Sequence, residues 1–176
     1  MKRSLFLLLF YLPIFSLPSS IYDIQVTELG GNNINLSSYS GKKLVIGFFD
    51  GSAPDIDWLQ YMDSLQSLDT SIKIIVMPAN DFNVASNDSA LVSLRDSLSL
   101  GILMLKPAYV KKSSGNNQHP LCKWLSDVNE NTHFDKDIES AGQLFIVNRT
   151  GNLYSVLGND VSFEILIEIL NQKANQ

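Results

Sequence analysis

The chain has 176 residues, of which 45% are hydrophobic and 10% aromatic, and its formal net charge is −5. This length suggests one domain, and the hydrophobic content suits a substantial core, which excludes an intrinsically disordered chain. The acidic balance argues against nucleic-acid binding, because such proteins normally carry a basic face. The single cysteine, Cys122, excludes an intrachain disulfide and any thiol–disulfide cycle within the chain.

Residues 1–20 have the composition of a secretory signal peptide. Lys2 and Arg3 provide a basic start, and residues 5–17 are almost wholly apolar. The apolar run is too short to span a bilayer. Cleavage close to Ser20 predicts a secreted or periplasmic protein with no membrane attachment and one mature domain over residues 21–176. An uncleaved membrane anchor is the alternative.

A strand, a turn and a helix in succession form the segment around which the chain is organised. Residues 44–49 are a dense apolar run, which is typical of a strand buried on both faces. Residues 50–54 have the composition of a turn, and Asp55 is placed to cap a helix with apolar residues at helical spacing. Backbone N–H groups and the positive end of a helix dipole meet at such a turn, where they would stabilise a thiolate. This turn contains no cysteine.

The rest of the chain alternates predicted strands with predicted helices, after a hairpin within residues 21–36. The further elements, in chain order, are a buried strand at 72–77, a helix at 88–100, an apolar segment at 102–110, a polar loop at 111–118, a helical turn at 119–125, an exposed polar segment at 127–139, a hairpin at 144–157 and a final helix capped by Ser162. This order predicts a compact α/β domain of the thioredoxin type with an N-terminal extension.

Several motifs resemble those of the glutathione peroxidases in order and spacing, and the resemblance extends from Ile21 to Leu170. The motifs are Ser-Ile-Tyr-Asp at 20–23, Leu-Ser-Ser-Tyr-Ser-Gly-Lys at 36–42, Met-Pro-Ala-Asn-Asp-Phe at 77–82, His-Pro-Leu-Cys-Lys-Trp-Leu at 119–125 and Phe-Ile-Val-Asn-Arg-Thr-Gly at 145–151. On these motifs the chain is identified as a member of the glutathione peroxidase family. The resemblance implies a thioredoxin-like α/β fold, with a central mixed sheet flanked by helices.

The resemblance also assigns positions to the family's catalytic side chains. The family reduces hydroperoxides with a low-pKa cysteine or selenocysteine, assisted by glutamine, tryptophan and asparagine. Ala53 lies at the position of the nucleophile, Asp81 at that of the glutamine, and Ser140 and Ala141 at those of the tryptophan and asparagine. A methyl group cannot attack a peroxide, and the charge of Asp81 would raise the pKa of a nearby thiol. The resemblance therefore implies that no catalytic residue of the family is intact, and no cofactor is predicted.

Two classes of function stay open. In the first, the protein is an exported pseudoperoxidase that binds a protein partner or a small ligand. The small residues at 140–142 would leave a cleft floored by Ala53 and edged by Asp81. In the second, it is an enzyme with weak thiol-dependent peroxidase activity in oxidative stress, through Cys122 or through other chemistry in that cleft. The replaced residues favour the first class, and an inaccessible Cys122 with a raised pKa would exclude the thiol version of the second.

Other signals carry smaller predictions. His133, Asp135 and Asp137 alternate and would share one face of an extended segment, but such spacing is more often a solvated loop, so no metal is predicted. His119 is expected to cap a turn. The resemblance implies a cis proline before the last sheet strands. Pro107 supplies it only if the following loop is one residue shorter; otherwise Leu105 or Lys106 occupies that position.

The oligomeric state is predicted from the resemblance. Members of the family that form tetramers carry an extra loop after the second helix. The segment 101–118 is short, which predicts a monomer.

Overall fold

The computed structural model describes residues 20–83 and 86–172. The predicted signal peptide, apart from Ser20, lies outside these residues. Within them, no helix is long and apolar enough to cross a membrane.

The described residues form two β-sheets, one of two strands and one of five. The strands are β1 (Gln25–Thr27), β2 (Asn33–Asn35), β3 (Lys43–Phe49), β4 (Ile72–Pro78), β5 (Leu103–Met104), β6 (Leu144–Val147) and β7 (Leu153–Leu157). The α-helices are α1 (Ile56–Leu68), α2 (Asp88–Ser97), α3 (Pro120–Ser126), α4 (Val128–Asn131) and α5 (Phe163–Asn171). Short 3-10 helices lie at Ile21–Asp23, Leu36–Tyr39 and Lys112–Asn117.

The larger sheet is mixed, with the strand order β5-β4-β3-β6-β7. β3 lies at its centre, parallel to β4 and antiparallel to β6. Every residue of β3 after Lys43 is buried, because neighbouring strands cover both edges and helices cover both faces. The predicted α/β class, the mixed sheet and the buried central strand are confirmed, and β1 and β2 form the predicted N-terminal hairpin.

Alternate residues of β3 contribute to separate cores on the two faces of the sheet. Ile46 and Phe48 pack with residues of α3 and of the N-terminal segment. Val45 and Phe49 pack with apolar side chains of α1, α2 and α5. The end of β3 is therefore held on both sides, which fixes the position of the turn that follows it.

Side chains at the helix starts agree largely with the predicted caps. Asp55 Oδ1 accepts a hydrogen bond from the backbone N–H of Trp58 at 3.0 Å, as predicted. Ser162 occupies the cap position of α5, but its hydroxyl accepts no capping hydrogen bond. α2 ends at Ser97 rather than at residue 100, because Ser99 adopts the left-handed conformation with φ of +52°.

The prediction that residues 127–139 are exposed is wrong in part. Asn131 is 3% exposed and Ile138 is fully buried. The Asn131 amide donates to the backbone oxygens of Trp124 at 2.9 Å and Phe134 at 2.9 Å. A buried polar side chain is stable when its hydrogen bonds are satisfied, so polar composition did not reveal this burial.

Pro107 does not supply the cis proline that the resemblance implies. All peptide bonds of the described residues are trans. Pro107 also follows β5, whereas Gly142 and Gln143 precede β6.

Candidate functional site

The turn after β3 is organised by the carboxylate of Asp50. Its Oδ1 accepts hydrogen bonds from the Ser52 backbone N–H at 2.9 Å and the Ser52 hydroxyl at 2.7 Å. Its Oδ2 accepts from the side-chain amide of Asn83. Burial alone would raise the pKa of Asp50, but these hydrogen bonds outweigh burial and lower it. Asp50 is thus an ionised structural group of the turn.

Ala53 is exposed on this turn, at the position assigned to the family's nucleophile. Its backbone N–H donates to the Asp50 backbone oxygen at 3.3 Å, and α1 begins at Ile56. The strand, turn and helix start therefore follow one another as predicted. The side chain presented there is a methyl group, which has no lone pair for nucleophilic attack.

Asp81 is a structural ligand of the neighbouring loop. Its Oδ2 accepts hydrogen bonds from the backbone N–H groups of Val110 and Lys111, the latter at 3.1 Å. Its Oδ1 accepts from the Ser114 hydroxyl at 2.7 Å. Asp81 thereby joins the loop after β4 to the segment after β5. These two oxygens act as acceptors, whereas the glutamine amide that the family places here can also donate a hydrogen bond.

Ser140 and Ala141 lie in the loop before β6, close to the end of β3. The next residue, Gly142, donates from its backbone N–H to the Phe48 oxygen at 2.8 Å and has φ of +85°. The Ser140 backbone oxygen accepts a hydrogen bond from the Gln143 backbone N–H at 3.4 Å. The loop is therefore fastened beside the strand end from which Ala53 follows, but neither assigned position carries an indole or an amide.

Cys122 is fully buried in α3. Its Sγ lies 3.7 Å from the Sδ of Met77, within the core that also contains Phe48. Burial raises the pKa of the Cys122 thiol well above its ordinary value, and the charge of Asp81 adds to this rise. A reactive cysteine needs the opposite combination of exposure and low pKa. These observations argue against the thiol version of the enzyme hypothesis.

His119 caps α3, as the sequence predicted. Its Nδ1 accepts a hydrogen bond from the Leu121 backbone N–H at 3.1 Å, and Pro120 occupies the first turn. Burial lowers the pKa of His119. The ring therefore acts as a neutral cap near pH 7, because a protonated Nδ1 could not accept this bond.

The alternating residues His133, Asp135 and Asp137 contact different groups of the protein. His133 Nδ1 lies 2.8 Å from the Asn131 backbone oxygen. Asp135 pairs with the Lys112 ammonium, whereas Asp137 Oδ1 accepts from the Lys112 backbone N–H at 2.9 Å. Among residues 20–83 and 86–172 there is no group of three or more metal-binding side chains.

A cleft of about 290 Å³ lies beside this edge of the sheet. Its walls are the first turn of α1, the start of β6, the connection after β7 and the first turn of α5. Gly142 lines it, as the predicted opening at 140–142 implies, but its other walls include Asp57, Trp58, Asn159 and Phe163 in place of Ala53 and Asp81.

Sequence reasoning missed Asp57, Asn159 and Phe163 as cleft residues. Asp57 and Phe163 are more than a hundred positions apart in the chain. No local pattern joins them, and α5 reaches α1 only because both pack on the same face of the sheet.

Comparison with known proteins agrees with the geometry. No protein-family model matches the chain. The chain is similar to a probable phospholipid hydroperoxide glutathione peroxidase of Nicotiana sylvestris, with 26% identity over 148 residues, which cover 78% of this chain and 83% of the relative.

Two solved structures share the fold. The structure of Trgpx in its apo form has a TM-score of 0.67 and 16% identity, and covers 86% of this chain and 93% of its own. The structure of T. cruzi GPX1 has a TM-score of 0.66 and 18% identity, and covers 86% of this chain and 94% of its own. Together with the ordered motifs and the mixed sheet, these similarities show a thioredoxin-like fold of the glutathione peroxidase type and support a relationship to that family.

Proposed function

We propose that this protein is an exported member of its family that has lost peroxidase chemistry and acts by binding a partner or ligand. The observation that carries the proposal is the exposed methyl group of Ala53 at the turn before α1. Peroxide reduction begins with attack by a thiolate or selenolate, and the single cysteine of the chain lies elsewhere.

The residues at the other assigned positions support the same proposal. Both carboxylate oxygens of Asp81 accept structural hydrogen bonds. Ser140 and Ala141 provide neither the ring nor the amide that assists the reaction in the family. A change at one position would leave a partial site, whereas these changes together leave no group for the chemistry.

The alternative enzyme, a weak thiol-dependent peroxidase, finds no support in the position of Cys122. A peroxide would have to reach a sulfur atom that has no exposed surface. The raised pKa of that thiol also keeps it protonated at neutral pH.

Hydroperoxide consumption tests the loss of chemistry. The purified mature protein is assayed with glutathione and then with thioredoxin as the reductant, beside the variants Ala53→Cys and Cys122→Ser. We expect no turnover by the wild type. We expect measurable turnover by Ala53→Cys, because a thiol just before α1 would have its pKa lowered by the helix N-terminus. Turnover by the wild type would overturn the proposal. Its loss in Cys122→Ser would assign the activity to the buried thiol, and its persistence would assign it to other chemistry in the cleft.

Export is tested by processing of the N-terminus. The folded domain includes Ser20, whose hydroxyl accepts from the Tyr22 N–H at 3.2 Å and whose own N–H donates to Asp23 at 3.2 Å. Because these bonds need Ser20, we expect cleavage before Ser20, so that the mature chain begins at or before Ser20 and not at Ile21 as the sequence suggested. Intact mass after expression with the native leader measures this start. A full-length chain retained in the membrane fraction would favour the uncleaved anchor and overturn export.

A further inference from the structure

We propose that the cleft between α1 and α5 binds a small organic cation, an alkylammonium group carried on an apolar body. This inference rests on the binding role proposed above and names the class of ligand. It concerns the cleft of about 290 Å³ that Asp57, Trp58 and Phe163 help to line.

The charge of the cleft favours a cation. Among the described residues, the carboxylates of Asp55 and Asp57 line it, and no Lys, Arg or His side chain does. Asp55 is engaged as the cap of α1, whereas Asp57 lies exposed in the first turn of that helix. A negative charge at the mouth of a partly enclosed cleft attracts a cation more strongly than the same charge on an open surface, because less water screens it.

The positive ends of two helices do not reverse this preference. α1 and α5 both begin at the cleft, and a free helix start would attract an anion. The carboxylate of Asp55 already accepts from the Trp58 N–H at 3.0 Å, and Asp57 lies in the same turn. Glu164 occupies the first turn of α5. Each helix start is thus compensated by acidic side chains of the protein itself.

Two aromatic rings supply the surface that an alkylammonium group prefers. Phe163 is 39% exposed and stacks on Tyr61 with ring centroids 3.5 Å apart. The Trp58 ring is held against the sheet, since a Cβ atom on Gly47 would lie only 2.8 Å from it. Both rings are therefore fixed before a ligand arrives, which lowers the entropic cost of binding.

Lysine–ring contacts among the described residues lie away from the rings of the cleft. In the part of the chain that the structure describes, the lysine–ring contacts are Lys73 over Tyr39 and Lys111 over Phe82. The deeper wall is apolar, formed by Met62, Leu144 and Leu166. The volume of about 290 Å³ lies just below the range for drug-sized ligands, which is about 300–1,000 Å³, so it suits a small ligand. The cleft thus combines a carboxylate, the partly exposed Phe163 ring, the packed Trp58 ring and an apolar wall.

Titration with benzyltrimethylammonium, followed by NMR at constant ionic strength, tests the inference. Benzyl alcohol and benzoate are the neutral and anionic controls. We expect saturable shifts of the Gly142 and Gly158 amides and of the Trp58 indole, with a Kd of about 1 mM or tighter. Trp124 is an internal control, because it lies in the core on the other face of the sheet. An absence of saturable shifts up to about 10 mM, or equal binding of the three probes, would overturn the inference.

Two variants test which groups bind the cation. Asp57→Asn removes the charge and should weaken binding about two- to fivefold, whereas Glu168→Gln, an exposed carboxylate that does not line the cleft, should leave the Kd unchanged. Phe163→Leu keeps an apolar side chain but loses the ring, and should weaken binding by about two- to fivefold. Equal affinities for Asp57→Asn and Glu168→Gln would refute the role of the carboxylate.

The two proposals fail separately. Peroxide turnover by the wild type would overturn the loss of chemistry, whether or not the cation binds. A silent titration of a protein that also fails to reduce peroxide would overturn the inference about the cleft alone.

Discussion

The structural role of Asp81 makes the most quantitative prediction. Asp81→Ala removes the acceptor of the Val110 and Lys111 backbone N–H groups and of the Ser114 hydroxyl. Hydrogen bonds to a charged group contribute about 1.5–3 kcal/mol each when they are buried. Asp81 is half-buried, so water replaces part of the loss. We expect Asp81→Ala to lower the free energy of unfolding by about 2–4 kcal/mol.

Asp81→Asn is the matched variant, because it keeps the shape and changes the charge. Its side-chain oxygen can still accept from the N–H groups of Val110 and Lys111, and its amide can donate to the Ser114 oxygen. The loss should then be about 1 kcal/mol, the difference between a charged and a neutral acceptor. Asp135→Ala, which removes an exposed partner of Lys112, is the control and should cost at most about 1 kcal/mol.

Urea denaturation followed by circular dichroism gives the free energies of unfolding of the wild type and of the three variants. If Asp81→Ala costs no more than Asp135→Ala, the loop does not depend on this carboxylate. Asp81 would then not have the structural role that its hydrogen bonds to Val110, Lys111 and Ser114 imply.

Three further predictions follow from single sites. The pKa of His119 is lowered in the folded state, so its contribution to the free energy of unfolding should be fully present above the unfolded pKa of about 6.5 and should be lost as the pH falls below it. The variant His119→Asn keeps a capping oxygen and should show a weaker pH dependence in urea titrations at different pH values. Gly51→Ala would place a Cβ atom 1.9 Å from the Ser86 hydroxyl oxygen and should cost about 1–3 kcal/mol, and Ser86→Gly in the same chain should recover part of that loss. Cys122 should react with a thiol reagent only after unfolding, whereas the introduced thiol of Ala53→Cys should react in the native protein; rapid native labelling of Cys122 would contradict its burial.

Features that depend on neighbours in the chain were determined by the sequence alone. The apolar run of β3 identified a strand buried on both faces, and it lies at the centre of the sheet. Asp55 was recognisable as a cap because the capping bond spans only a few residues. The hairpin of β6 and β7 was predictable for the same reason, since a short polar turn separates two apolar strands. The order of these elements led to the α/β class, and the spaced motifs led to the resemblance to the glutathione peroxidases.

Features that depend on distant residues were decided only by the tertiary structure. Asp81 receives its partners from Val110, Lys111 and Ser114, so its position in a motif could not show that its carboxylate is structural. Burial of Cys122 likewise depends on the packing of α3 against the sheet.

The cleft shows the same limit at the level of function. The replacements at Ala53, Ser140 and Ala141 were recognised from the sequence, and they indicated that the side chains for peroxide reduction are missing. The cleft for which we propose a binding role exists only because α5 places Phe163 beside the side chains of α1. Local sequence determines strands, turns and caps because their interactions span a few residues, whereas a cleft is made by packing between segments whose separation in the chain carries no pattern.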